Sequence, residues 1–150
     1  MPVPLYCRST LFSLPSMAEQ QLHTVTTFLS LSESLETNPE AYAQVLHPEV
    51  EQIEYPNLLN KTIQRRSFEE ILDNIRAGRE LLLNPHFELQ QAHASASGEV
   101  IVEARWHATL ANDIGPLVRG QLLAAQFCMV FELRDDKIIQ QRTYNCFDPF

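Results

Sequence analysis

Glu103, Arg105 and His107 alternate through the stretch EVIVEARWHATLA. On an extended strand, residues two apart share a face, so a carboxylate, a guanidinium and an imidazole line up there with Ile101 and Thr109. That spacing suits cross-strand ion pairs, and His107 is the member that titrates near neutral pH. The opposite parity gathers Val100, Val102, Ala104, Trp106 and Ala108 on an apolar face, the wall of a core or of a pocket. Other reactive residue types are dispersed. His23, His47, His86, His93 and His107 show neither HxH nor HxxxH spacing and no grouping with cysteine, so no metal site is indicated. Cys7, Cys128 and Cys146 are odd in number and widely spaced, which suggests neither a disulfide framework nor a zinc site. Cys128 lies in an apolar run and reads as a small buried hydrophobe. The chain has no Ser-His-Asp order, phosphate loop or dinucleotide fingerprint, so no cofactor is expected.

The bulk composition narrows the partners. Eleven basic side chains stand against 19 acidic ones, a formal net charge of -8. Such a surface repels phosphates and anionic lipid, which argues against nucleic acid and against membrane surfaces. Hydrophobic residues make up 45% and charged residues 20% of 150 residues, the profile of one globular domain with its own core. No apolar run is long enough to span a bilayer. Together with the cysteine usage this points to a cytoplasmic protein. Residues 1–17 hold three prolines among broken apolar residues and read as a poorly packed lead-in, with Met17 an alternative start; the domain proper is 18–150.

The elements that must position these residues follow from periodicity. Leu22, Val25, Phe28, Leu29 and Leu35 recur at helical spacing from Ala18 to about Leu35. Asn38-Pro39 caps and opens a short helix, AYAQVLH, that should stop before Pro48. VEQIEYPN reads as a short strand ended by Pro56, and NLLNKTIQRR as a polar loop. Ser67 and Glu70 have capping-box spacing ahead of a helix striped by Phe68, Ile71, Leu72, Ile75 and Leu82, closed by Asn84-Pro85. Beyond Pro85 the period changes to two, and four strand candidates follow, separated by turns at Ser97-Gly98, Asn112 to Pro116 and Asp135-Asp136. With no helix between them they should form an antiparallel meander. The strand from Arg119 is apolar on both faces near its middle, so it should be central and covered on both sides. Helices followed by a long sheet make an α+β domain, three N-terminal helices on a curved, mainly antiparallel sheet. The sheet's second face then needs a cover, for which a second copy of the chain is the simple candidate.

Element order and local phrases together resemble the NTF2-like superfamily, with its ketosteroid isomerase-like cone fold, and within it the SnoaL-like domain proteins. The phrases are YAQVLHPEVEQIEYP, VIVEARWHATL with its Arg105-Trp106 pair, and the hairpin FELRDDKIIQQRTYNCFD. The resemblance implies a cone-shaped sheet with an apolar pocket between sheet and helices. Relatives use such a pocket for isomerase, cyclase, dehydratase or epoxide-hydrolase chemistry, or only for binding, so the fold does not settle the function. The implied mechanism is proton transfer by a polar group whose pKa is tuned by an apolar site.

Under this resemblance the residue before the proline ending the first strand is often an aspartate; here it is Tyr55, with Glu54 expected to point away into solvent. A tyrosine can donate to an oxyanion but, with an ordinary pKa of about 10, is a poor base. An acidic position beyond the hairpin lysine falls near Cys146, so the acid is absent from that place. The residues offered as catalytic candidates are Tyr55, His93, Arg142 and Tyr144. The expected ligand contacts are Tyr55, Trp106, Gln121, Phe127, Tyr144 and Cys146, with Arg142, Tyr144 and Cys146 sharing one strand face and Thr143, Asn145 and Phe147 the other. The expected partner is a small hydrophobic molecule, handled without cofactor or metal by a homodimer that pairs through the open sheet face. An aromatic C-terminus, with Phe147 and Phe150, should help close the cone.

Overall fold

Helix starts are set by side chains that satisfy free backbone amides. The computed structural model describes residues 13–150, of which 13–16 are exposed. The expectation that the lead-in packs poorly falls otherwise on residues outside those described, as does Cys7. Ser16 and Glu19 form a capping box at the head of α1 (Met17–Glu33), with the same spacing as Ser67 and Glu70. Asn38 accepts from the Glu40 amide at 3.0 Å and opens α2 (Pro39–Ala43), which is shorter than its sequence signal. β1 (Leu46–Glu54) begins two residues ahead of Pro48 and runs through it. The stretch read as a polar loop contains β2 (Gln64–Arg66). Ser67 and Glu70 cap α3 (Phe68–Leu81) as expected.

α3 passes directly into β3 (Leu82–Ala94), since Leu82 already has extended backbone (φ -122°, ψ 139°). Asn84-Pro85 is therefore an irregularity inside β3, where Asn84 has φ 50° and the pairing to the next strand shifts register. β4 (Glu99–Leu110), β5 (Leu122–Arg134) and β6 (Lys137–Phe147) complete the meander. The six strands lie in the order β2-β1-β6-β5-β4-β3. All neighbours are antiparallel except β1 and β6, which run parallel, a pairing that the long connection between them permits. Two helices precede the first strand and α3 lies between β2 and β3, so the three helices are not all N-terminal.

The fold is α+β, with the helices on one face of a curved sheet. Val25, Phe28 and Leu29 of α1 and Ile71, Leu72 and Ile75 of α3 share one core with Val100, Val102, Leu123, Met129, Phe131 and Ile138. Burial on this scale, at roughly 25 cal/mol per Å² of apolar surface, is what holds helices to sheet. Phe28 meets Phe131 edge-on at 6.1 Å and Tyr42 at 6.3 Å. Burial drives the Tyr42 phenol up to about 12, so it stays neutral across the working range. On β4 the inner residues are those of the apolar parity, Val100 through Ala108. No helix among the described residues is long and apolar enough to cross a membrane.

Candidate functional site

A cavity of about 420 Å³ lies between the helices and the inner sheet face. Its two ends differ in chemistry. Phe87, Trp106, Phe127 and Phe147 form an aromatic end: Trp106 stacks on Phe127 at 5.6 Å and 13°, and Phe147 meets both edge-on at 6.1 and 6.2 Å. Gln52, Glu54, Asn60, Arg66, Gln141, Thr143 and Asn145 supply polar groups from β1, β2, β6 and the loop after β1. Glu54 is the one carboxylate among the described lining residues.

Glu54 reverses its expected orientation. Its side chain is 17% exposed and that of Arg66 is 14%, with 3.9 Å between guanidinium and carboxylate. Asn60 Nδ2 donates to Glu54 Oε1, and Asn145 Nδ2 donates to Oε2 at 3.4 Å. A largely desolvated acid is thus held by two amides and faced by a cation, which offsets the cost of withdrawing its charge from water. The strand explains the reversal. Val50, Gln52 and Glu54 share the inner face, and Ile53 and Tyr55 the outer one. On β1 the usual rule of apolar inward runs backwards near the cavity, and that inversion concealed Glu54.

A similar correction applies to β6. The Asp135-Asp136 turn has positive φ at both residues (53° and 60°), the geometry of a two-residue hairpin. Arg134 pairs with Lys137 and Leu133 with Ile138. Continued without interruption, that register would set Tyr144 opposite Phe127 and Cys146 opposite Ala125, on the inner face. A bulge intervenes: Glu132 pairs with Gln140, leaving Ile139 as the extra residue. One inserted residue exchanges the two faces of the remaining strand. Asn145 now opposes Phe127, Phe147 opposes Ala125, and Thr143 opposes Met129.

Of the residues expected to bind a ligand, Trp106 and Phe127 line the cavity; Tyr55, Gln121, Tyr144 and Cys146 do not. Tyr55 and Tyr144 stack on each other at 4.7 Å on the outer sheet face. Cys146 is exposed, and Cys128 is half-buried on that same face rather than in the core. Gln121 precedes β5, where its side-chain oxygen accepts from the Val118 amide at 3.3 Å. Among the catalytic candidates, Arg142 donates to Glu132 at 3.0 Å and to Gln140, and His93 lies exposed opposite Ile101. These candidates are therefore not brought together around the cavity. The proposed ion-pair face of β4 engages elsewhere: Arg105 clamps Asp148, and the His107 ring lies 5.4 Å from that of His86. Among the described residues no group of three or more His, Cys, Asp or Glu is arranged to hold a metal.

Solved structures with the same architecture span nearly the whole chain. A candidate SnoaL-like polyketide cyclase from Jannaschia sp. CCS1 superposes with a TM-score of 0.70 at 15% identity, covering 89% of this chain and 90% of that one. IdmH, a candidate polyketide cyclase from Streptomyces antibioticus, gives 0.69 at 12% identity over 84% and 91%. An LEH-like epoxide hydrolase from M. tuberculosis gives 0.64 at 16% identity over 89% and 86%. At such identities the likeness is one of fold. No curated protein matches the sequence. The family model described as SnoaL-like domain matches residues 25–141, well over half of the chain, and on that match the protein belongs to the SnoaL-like domain family.

Proposed function

We propose that this protein takes a small hydrophobic molecule into the cavity and performs acid-base chemistry on it with Glu54, without a cofactor. The observation that carries this reading is one carboxylate in the polar wall of the cavity, hydrogen-bonded to Asn145, which is itself paired across the sheet with Phe127 of the aromatic wall. Trp106, Phe127 and Phe147 would hold the flat apolar body of the ligand. Glu54 would remove or return a proton, with Asn60 and Asn145 fixing its position. Isomerisation, cyclisation, dehydration and epoxide opening all use such a group, and the solved relatives include candidate cyclases and an epoxide hydrolase. The test is deuterium incorporation at the acidic C–H positions of a panel of cyclic ketones, followed by mass spectrometry. Wild type should exchange them and Glu54→Gln should not; equal exchange by both would remove Glu54 from the chemistry.

The alternative is a non-catalytic binding module, favoured by the same environment. Glu54 already accepts two amide hydrogen bonds and faces Arg66, an arrangement that can hold a ligand without reacting. Stabilisation by ketones in a thermal-shift assay without any exchange would select this reading. We also propose a homodimer through the outer sheet face, which carries the Tyr55-Tyr144 stack, exposed Ile101, Arg105 and His107. Sedimentation giving a monomer at micromolar concentration would reject it.

A further inference from the structure

The polar wall of the cavity has a direction, and we propose that it ends in a hydrogen-bond donor, the Thr143 hydroxyl, aimed at a carbonyl oxygen of the ligand. This rests on the reading of the cavity as a small-molecule site and adds to it the chemical class of the ligand. The direction is set by Arg66. A guanidinium can only donate, and Arg66 Nη1 lies 3.2 Å from Gln52 Oε1, so the Gln52 amide must turn its oxygen toward β2. Its nitrogen then faces β6, where Gln52 Nε2 donates to Gln141 Oε1 at 2.8 Å. Gln141 is in turn obliged to present Nε2 to Thr143 Oγ1, at 3.1 Å. At each step an oxygen accepts and the nitrogen of the same amide donates onward, and the polarity is inherited from the cation.

Thr143 is the terminus. Its oxygen is occupied as an acceptor, and no acceptor for its own proton is found among the described residues. The residue is 6% exposed and lines the cavity, so the hydroxyl has little bulk water to satisfy it. A buried hydroxyl without an acceptor costs free energy, and a ligand oxygen can supply one. Asn145, the next inner residue on β6, is fixed by its bond to Glu54, which leaves Oδ1 as an acceptor without a donor among the described residues. Thr143 is therefore the donating member of this pair on β6.

Position completes the inference. Thr143 and Glu54 are direct partners across the parallel β1–β6 pair, and both face the cavity. Adjacent strands lie about 4.8 Å apart. A ketone whose oxygen meets Thr143 thus has its neighbouring carbon within the span of Glu54. When Glu54 takes the proton from that carbon, the C–H electron pair becomes the new carbon–carbon double bond and the carbonyl π pair moves onto oxygen. The Thr143 hydroxyl keeps its proton and hydrogen-bonds the resulting enolate oxygen.

The test compares α-tetralone with tetralin, the same ring system without the carbonyl, in wild type, Thr143→Val, Thr143→Ser and Gln141→Glu. Gln141→Glu probes the relay, because a carboxylate can only accept and would draw the Thr143 proton away from the cavity. Affinities are read from the fluorescence of Trp106, and the stretch of an isotope-labelled tetralone carbonyl by difference infrared; melting curves confirm folding. The preference for α-tetralone over tetralin should fall about fivefold in Thr143→Val and Gln141→Glu. In both, the carbonyl stretch should move up toward its unbound value, and Thr143→Ser should restore both readouts. An unchanged preference and stretch in folded Thr143→Val overturns the proposal while leaving the apolar cavity reading intact. A loss in Thr143→Val but not in Gln141→Glu overturns the relay. If neither probe binds wild type, both this proposal and the small-molecule reading fall.

Discussion

Phe147→Ala tests whether the C-terminal end of β6 is a structural wall of the cavity. The Phe147 ring makes two edge-to-face contacts, with Trp106 and with Phe127, each within 6.2 Å between centroids. Each such pair contributes about 0.5–1.5 kcal/mol beyond area burial. A fully buried Phe→Ala costs roughly 3–5 kcal/mol. Phe147 is only half-buried and already borders a cavity, so part of that cost is not incurred, and about 2–3 kcal/mol is the expected loss. For a chain of this size, at about 2–4 °C per kcal/mol, Tm should fall by roughly 4–12 °C. The assay has a built-in local reporter: Trp106 is the only tryptophan, 7% exposed and in contact with the deleted ring. Its emission should shift to the red as water reaches the enlarged cavity. Phe147→Leu should recover most of the stability and little of the aromatic contact. A Tm drop below about 2 °C with unmoved Trp106 emission would refute the claim that this end of the strand closes the aromatic wall.

Burial raises the Glu33 carboxyl pKa, but the Phe87 amide and His86 outweigh it, so the net pKa is below the ordinary 4.5. A depressed acid contributes stability above its unfolded pKa and loses it as pH falls through the folded value. Glu33→Gln should therefore flatten the stability–pH curve on the acid side of 4.5, as read by urea melts across pH. Gly78→Ala should raise Tm by a few degrees, because alanine favours a helix by up to about 1 kcal/mol over glycine. The added methyl would meet only Leu35 at 3.6 Å and Leu82 at 4.0 Å, ordinary contacts. Burial, then Glu103 and Cys146, raises the Cys128 thiol pKa, and Cys146 is exposed. Iodoacetamide mapped by mass spectrometry should thus label Cys146 well before Cys128.

Elements with local signals were legible in the chain. Ser67 and Glu70 announce α3, Asn38-Pro39 announces α2, and the Asp135-Asp136 turn marks the hairpin that joins β5 to β6. Capping and turn chemistry act within a few residues, so the sequence alone contains their cause. β2 was not legible, because three polar residues have no periodicity and become a strand only by pairing with β1. On β4 and β5 the apolar parity identified Trp106 and Phe127, since those faces obey the rule that apolar residues turn inward.

The polar wall broke that rule, and only the assembled sheet decided it. Gln52 and Glu54 face inward because β1 pairs in parallel with β6, a contact between segments some ninety residues apart. Thr143, Asn145 and Phe147 face inward because the bulge at Ile139 shifts the register that the hairpin turn began. The sequence determined the family, the caps of α2 and α3, and the part of the cavity that Trp106 and Phe127 supply. Its polar half was decided by long-range pairing and one extra residue, because strand parity is a local property while register belongs to the whole sheet.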